Sequence, residues 1–221
     1  MIKPELEAWA EVATFDAPGV GEEPRASSLD ADAIIERGLD ELDDRSWDRC
    51  VVAGDEFGTY NAVHLAARRP EAVQGLALGH ACTSLRESGE RAPVNGEVWA
   101  ALTQLRDVDY RTYARHLTQI TQGAYDDELV ETYLQKVPHE VTVGYEESLA
   151  KLRDEPLEPV IRSLDAPLLL AKHEGCLAWT DEGWEDMVAA FPEATTMETE
   201  LKPSCSPEFV EALRAFCSSL D

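Results

Sequence analysis

Apolar residues along this chain fall into two alternating rhythms. Short apolar runs at Cys50-Val51-Val52-Ala53, Val73 to Leu78 and Ala166 to Ala171 have the length and aliphatic character of buried strands. Trp9 to Phe15 and Thr195 to Leu201 predict two more. Between the runs, apolar positions recur at helical spacing. Leu29, Ala33, Ile34, Leu39 and Leu42 predict a helix with Ser27 or Ser28 as its N-cap. Thr59 to Arg69 predicts a second, stopped by Pro70, and Asp181 to Phe191 and Pro207 to Leu220 predict two further ones. From Cys82 to about Ser163 there is no strand-like run. Helical patterns follow one another there, at Val98–Leu105, Tyr110–Thr121, Asp127–Lys136 and Val141–Leu152. Strand–helix alternation with one helical interruption predicts an α/β chain: a mostly parallel sheet with flanking helices and a helical cap. Residues 1–82 and 164–221 form the core in this reading, and residues 83–163 the cap.

Charge narrows the partners. The 221 residues carry 44 acidic and 19 basic side chains, a formal net charge of −25, so no nucleic acid and no anionic membrane is expected as a partner. The acidic run Asp40-Glu41-Leu42-Asp43-Asp44 reads as a solvated helix end. No apolar stretch approaches the roughly 20 residues of a membrane span, and the first residues lack the basic-then-apolar pattern of a signal peptide; a cytoplasmic location is the expectation. Cys50, Cys82, Cys176, Cys205 and Cys217 are odd in number and widely spaced, so they predict buried thiols rather than disulfides or a zinc motif. No nucleotide or phosphate loop motif is present, so no cofactor is expected.

The segment Val51-Val52-Ala53-Gly54-Asp55-Glu56-Phe57-Gly58-Thr59, continuing to Ala66-Ala67-Arg68-Arg69-Pro70-Glu71-Ala72-Val73, resembles the nucleophile elbow of the α/β-hydrolase superfamily. There a strand runs into G-x-S-x-G, and the small residues flank a strained strand-to-helix turn; Gly54 and Gly58 supply them here. Further stretches resemble the family's landmarks in order: the loop Phe15 to Gly21, the strand Leu164 to Leu170, the turn Phe191-Pro192-Glu193-Ala194 and the last helix from Ser206-Pro207-Glu208-Phe209. The resemblance implies about three strands before the Phe15–Gly21 loop, whereas this chain begins near the tail of the helix after them. Either the start is truncated or the sheet is reduced; a reduced sheet leaves an edge open to a second copy or a partner chain.

Against that family pattern, Glu56 occupies the nucleophile position. Glutamate cannot perform the alcohol chemistry of a serine hydrolase. Haloalkane dehalogenases and epoxide hydrolases of this fold use an Asp there; Glu is one methylene longer, and a displacement of about 1 Å can cost roughly 100-fold in rate. The acid position falls on Gly175 or Cys176, with Glu174 out of register, and the loop Lys202-Pro203-Ser204-Cys205-Ser206 has no histidine. A Ser-His-Asp triad is therefore not expected.

Three functions remain: a non-catalytic relative binding a small apolar ligand under the cap or a protein partner; an enzyme using Glu56 as base or nucleophile; a structural subunit pairing through its sheet edge. Glu56 and His173 are the candidate catalytic pair, and Asp55, Phe57, His80, Cys176 and Cys205 the candidate ligand-facing positions. His80 and His173 follow strand ends on the same sheet edge as Glu56, yet their spacing matches no metal motif, so no metal is expected. Trp99, Tyr110, Tyr113, Tyr133 and Tyr145 either line a pocket or form the cap's own core.

Overall fold

The computed structural model describes residues 2–84, 90, 96–122, 126–152, 155–173, 176 and 180–220. Four strands, β1 (Cys50–Asp55), β2 (Val73–Gly79), β3 (Leu168–His173) and β4 (Thr195–Thr199), form one sheet in the order β1-β2-β3-β4, every pair parallel. The inner strands are apolar almost throughout because both faces are covered: Leu76, Ala77, Leu78, Leu169, Leu170 and Ala171 are fully buried. Each leucine side chain removed from water in this way contributes about 1.5–3 kcal/mol.

The crossovers stack helices on one face. α1 (Lys3–Glu7) and α2 (Ala31–Arg45) precede β1; α3 (Phe57–Arg68) joins β1 to β2. Between β2 and β3 lies a helical insert of α4 (Gly96–Val108), α5 (Tyr110–Gln122), α6 (Asp127–Lys136) and α7 (His139–Leu152), followed by the short α8 (Glu158–Arg162). α9 (Asp181–Ala190) joins β3 to β4, and α10 (Pro207–Ser218) closes the chain. Ala62, Val63, Ala66, Ile161 and Met187 from α3, α8 and α9, with Phe191 just after α9, pack with Leu76, Leu78, Leu168 and Leu170 on one face. Phe209, Leu213 and Phe216 of α10, with Leu6 and Trp9, pack against Ala77, Leu169 and Ala171 on the other.

The insert has its own core of Leu102, Tyr113, Ala114 and Val130, with Trp99, Tyr110 and Tyr133 against it. Its aromatic residues are structural in this respect. The hydroxyl of Tyr113 donates to Glu146, which also takes Arg106 Nη1 at 2.5 Å; Tyr110 and Tyr133 share Thr142. Arg106 is 6% exposed, and the carboxylate of Glu146 supplies the anion that a buried guanidinium requires. The insert is tied to the loop near residue 18 by Tyr145 Oη donating to the Pro18 carbonyl (2.8 Å) and by the Gly21 amide donating to the Lys136 carbonyl (2.7 Å).

Three expectations need correction. Trp9 to Phe15 is not a strand: Trp9 packs with the α10 face while Phe15 lies against Gly38 of α2, so the segment crosses from one face to the other instead of running beside β1. The N-cap of α2 is Asp30, not Ser27 or Ser28; its Oδ1 accepts from the Ala33 amide at 3.0 Å, and Ser28 donates to Asp30 instead. Of the five thiols only Cys82 is buried; Cys50, Cys176 and Cys217 are half-buried, and Cys205 is exposed. Among the described residues no helix is long and apolar enough to cross a membrane.

Candidate functional site

The carboxyl ends of β1, β2 and β3 gather the polar residues, the end at which open parallel sheets place their ligands. The turn from β1 into α3 is the sharpest feature. Glu56 has φ 52° and ψ −120°, a conformation that costs of order 1–3 kcal/mol in a non-glycine residue and persists only where its surroundings enforce it. The enforcement is visible. The Glu56 amide donates to the Gly79 carbonyl at 3.0 Å, and Thr59 Oγ1 donates to the same carbonyl at 2.9 Å, pinning both sides of the turn to β2. Gly54 is required by packing: a Cβ there would meet the Gly58 carbonyl, with its carbon at 2.6 Å and Ala62 Cβ at 2.8 Å. Gly58 is not: a Cβ there meets nothing within 4 Å, contrary to the expectation that both glycines are needed.

Glu56 is 8% exposed, and its Oε2 accepts from Lys202 Nζ at 2.9 Å. Oε1 is buried without a hydrogen-bond partner. Burial raises the Glu56 carboxyl above the usual carboxylate range; Lys202 opposes the rise and the neighbouring Asp55 charge adds to it. Lys202 comes from the loop between β4 and α10, where a short helical turn, Pro203–Cys205, precedes Ser206, the N-cap of α10.

Asp55 faces the other way. Its Oδ1 accepts from His80 Nδ1 at 3.0 Å, and Oδ2 from the Ser204 amide at 3.3 Å. Burial works against its ionisation, but the His80 bond, the charge of Lys202 and the Ser204 amide together hold it below the usual range. His80 Nε2 accepts the His173 amide at 3.2 Å. Both nitrogens of His80 are therefore engaged, and the pair of bonds fixes the proton on Nδ1. The ring of His173 meets that of His80 edge-on, centroids 4.6 Å apart. His173 Nδ1 is buried without a partner, and burial, with the charge of Lys202, lowers its pKa to about 4.

The structure thus brings together Asp55, Glu56, His80 and His173, and ligand atoms of His80, His173 and Cys176 lie within 4.8 Å of one another. The proposed partnership of Glu56 with His173 is not formed: no hydrogen bond joins them among the described residues, and Lys202 holds the carboxylate instead. Phe57, the first residue of α3, is 38% exposed, and Cys205 is exposed beside the loop turn. Glu174 and Gly175 lie outside the described residues. Sequence reasoning missed Lys202, since the search of its loop was for a histidine; the signal was a lysine in the loop that should face a buried elbow carboxylate.

The four-stranded parallel sheet, the strained strand-to-helix turn at its carboxyl edge and the helical insert after the next strand match solved structures of the α/β-hydrolase fold. Solved structures of that class superpose on the chain. A hydrolase from Oleispira antarctica matches with a TM-score of 0.75 at 14% identity over 90% of this chain and 76% of its own. A bromoperoxidase from Bacillus anthracis matches with a TM-score of 0.74 at 12% identity, over 93% and 80%. A haloalkane dehalogenase loop variant from Bradyrhizobium elkanii gives 0.67 at 15%, over 93% and 79%. No protein-family model and no curated protein matches the sequence.

Proposed function

We propose that this chain is a non-hydrolytic relative of the α/β-hydrolases whose work is binding rather than turnover. The observation that carries the reading is the buried Glu56–Lys202 ion pair at the elbow. A serine hydrolase needs an alcohol there with a histidine beside it. Here a carboxylate occupies the elbow, a lysine occupies its flank, and the Asp55–His80 pair that outwardly resembles an acid–histidine couple spends its second nitrogen on the His173 amide. A small ligand beneath the helical insert is the partner that this reading implies.

A second reading rests on Glu56 Oε1, buried and unpartnered on a carboxyl whose burial raises its pKa. That is the setting in which a carboxyl group serves as general acid or base near neutral pH. One experiment separates the two: turnover of a panel of activated esters and epoxides by the wild-type protein and by Glu56→Ala. The binding reading expects background rates from both. A wild-type activity that falls at least about 100-fold in the variant, roughly 2.7 kcal/mol of transition-state stabilisation, replaces it with the enzymatic reading.

A further inference from the structure

We propose that His80, His173 and Cys176 form a binding site for one divalent cation of the zinc class. His80 directly follows β2, His173 ends β3 and Cys176 lies in the loop after it; 93 residues separate His80 from His173, so the short His173–Cys176 spacing alone announces no site. Two imidazoles and one thiol are a borderline-soft donor set that suits Zn²⁺ and disfavours Mg²⁺ or Ca²⁺. Their ligand atoms lie within 4.8 Å of one another; tetrahedral zinc, with bonds of roughly 2.0–2.3 Å, needs donors about 3.3–3.8 Å apart, so closure of about 1 Å completes the site.

A second observation points to a ligand independently. His173 is 9% exposed, and its Nδ1 has no hydrogen-bond partner. Buried polar atoms in folded proteins are nearly always satisfied, and this orphaned nitrogen sits on an imidazole that is grouped with a thiol and a second imidazole. The surroundings prepare the ligands further. The Asp55 carboxylate binds His80 Nδ1, which directs Nε2 to the metal and makes it a better donor, the arrangement that metal-bound histidines commonly show. His80 Nε2 already accepts the His173 amide at 3.2 Å, so an entering cation must displace that long bond; this selects for ions that bind imidazole and thiolate strongly. Three protein donors leave a fourth position for water or a ligand, the pattern of open rather than structural zinc sites.

The test is a titration of the full chain, reduced and stripped by chelator, with Zn²⁺ in competition with a chromophoric chelator. One equivalent should bind per chain. Cys176→Ser and His173→Gln should each weaken binding at least about 100-fold, and Asp55→Asn, which removes the carboxylate behind His80, by roughly 10–100-fold. Cys217→Ser, on α10, should leave binding unchanged. Co²⁺ bound to the wild-type protein should show a thiolate-to-metal charge-transfer band, a readout that needs no variant to fold. Absence of stoichiometric binding, a Co²⁺ complex without thiolate absorption, survival of binding in both Cys176→Ser and His173→Gln, or its loss in Cys205→Ser alone overturns the proposal.

Discussion

Lys202 Nζ lies 2.9 Å from Glu56 Oε2, joining the last loop of the chain to the turn between β1 and α3. Both side chains are largely buried, 15% and 10% exposed. Removing one charge of such a pair strands the other in a poorly solvated place. Lys202→Met should therefore destabilise the protein by about 3 kcal/mol at pH 7, while Glu56→Met with Lys202→Met should recover most of the loss. Urea unfolding of the three proteins checks this. A single variant as stable as the wild type would mean that water already shares the site.

The same carboxyl sets a pH dependence. Burial raises the pKa of Glu56 above its ordinary 4.5. Between that value and the folded value, the native chain holds a proton that the unfolded chain has lost. The contribution of Glu56 is thus full below pH 4.5 and declines as pH rises through the folded pKa. In Glu56→Gln this decline is absent, so the stability of the variant relative to wild type should grow with pH. Denaturant midpoints in chelator from pH 4.5 to 7 read the difference; a pH-independent gap would remove the shift.

The two glycines of the elbow should respond oppositely. Gly54→Ala places a Cβ 2.8 Å from Ala62 Cβ and against the Gly58 backbone, and should cost about 1–3 kcal/mol through overpacking. Gly58→Ala meets nothing within 4 Å and lies in the first turn of α3, so it should be neutral or stabilise by up to about 1 kcal/mol. Thermal melts of both variants suffice to decide.

The sheet was largely legible in the sequence because its inner strands, β2 and β3, are buried on both faces and so carry the apolar runs Leu76-Ala77-Leu78 and Leu168-Leu169-Leu170-Ala171. Trp9 to Phe15 was not, since local composition cannot say whether a segment finds a partner strand. The site was legible in part. The elbow motif located Glu56, and the alternation of elements placed His80 and His173 at the same sheet edge. That Asp55 would hold His80 follows from register, with Asp55 opposite Gly79 in the β1–β2 ladder and His80 next along; register is not written in either segment alone. Lys202 depends on the path of a loop, for which no periodicity exists.

The position of β1 has a colloidal consequence. Among the described residues it pairs with β2 alone; Glu56 donates toward β2, so the amides and carbonyls of Ala53 and Asp55 face outward, and Ala53 is exposed. An open strand is a template for another copy, and at neutral pH the net charge of −25 opposes that approach. At about 1 M salt, where the screening length shrinks to roughly 3 Å, sedimentation should show self-association that Ala53→Pro suppresses. If the proline variant associates as the parent does, copies meet elsewhere, and the edge is guarded by its own surroundings.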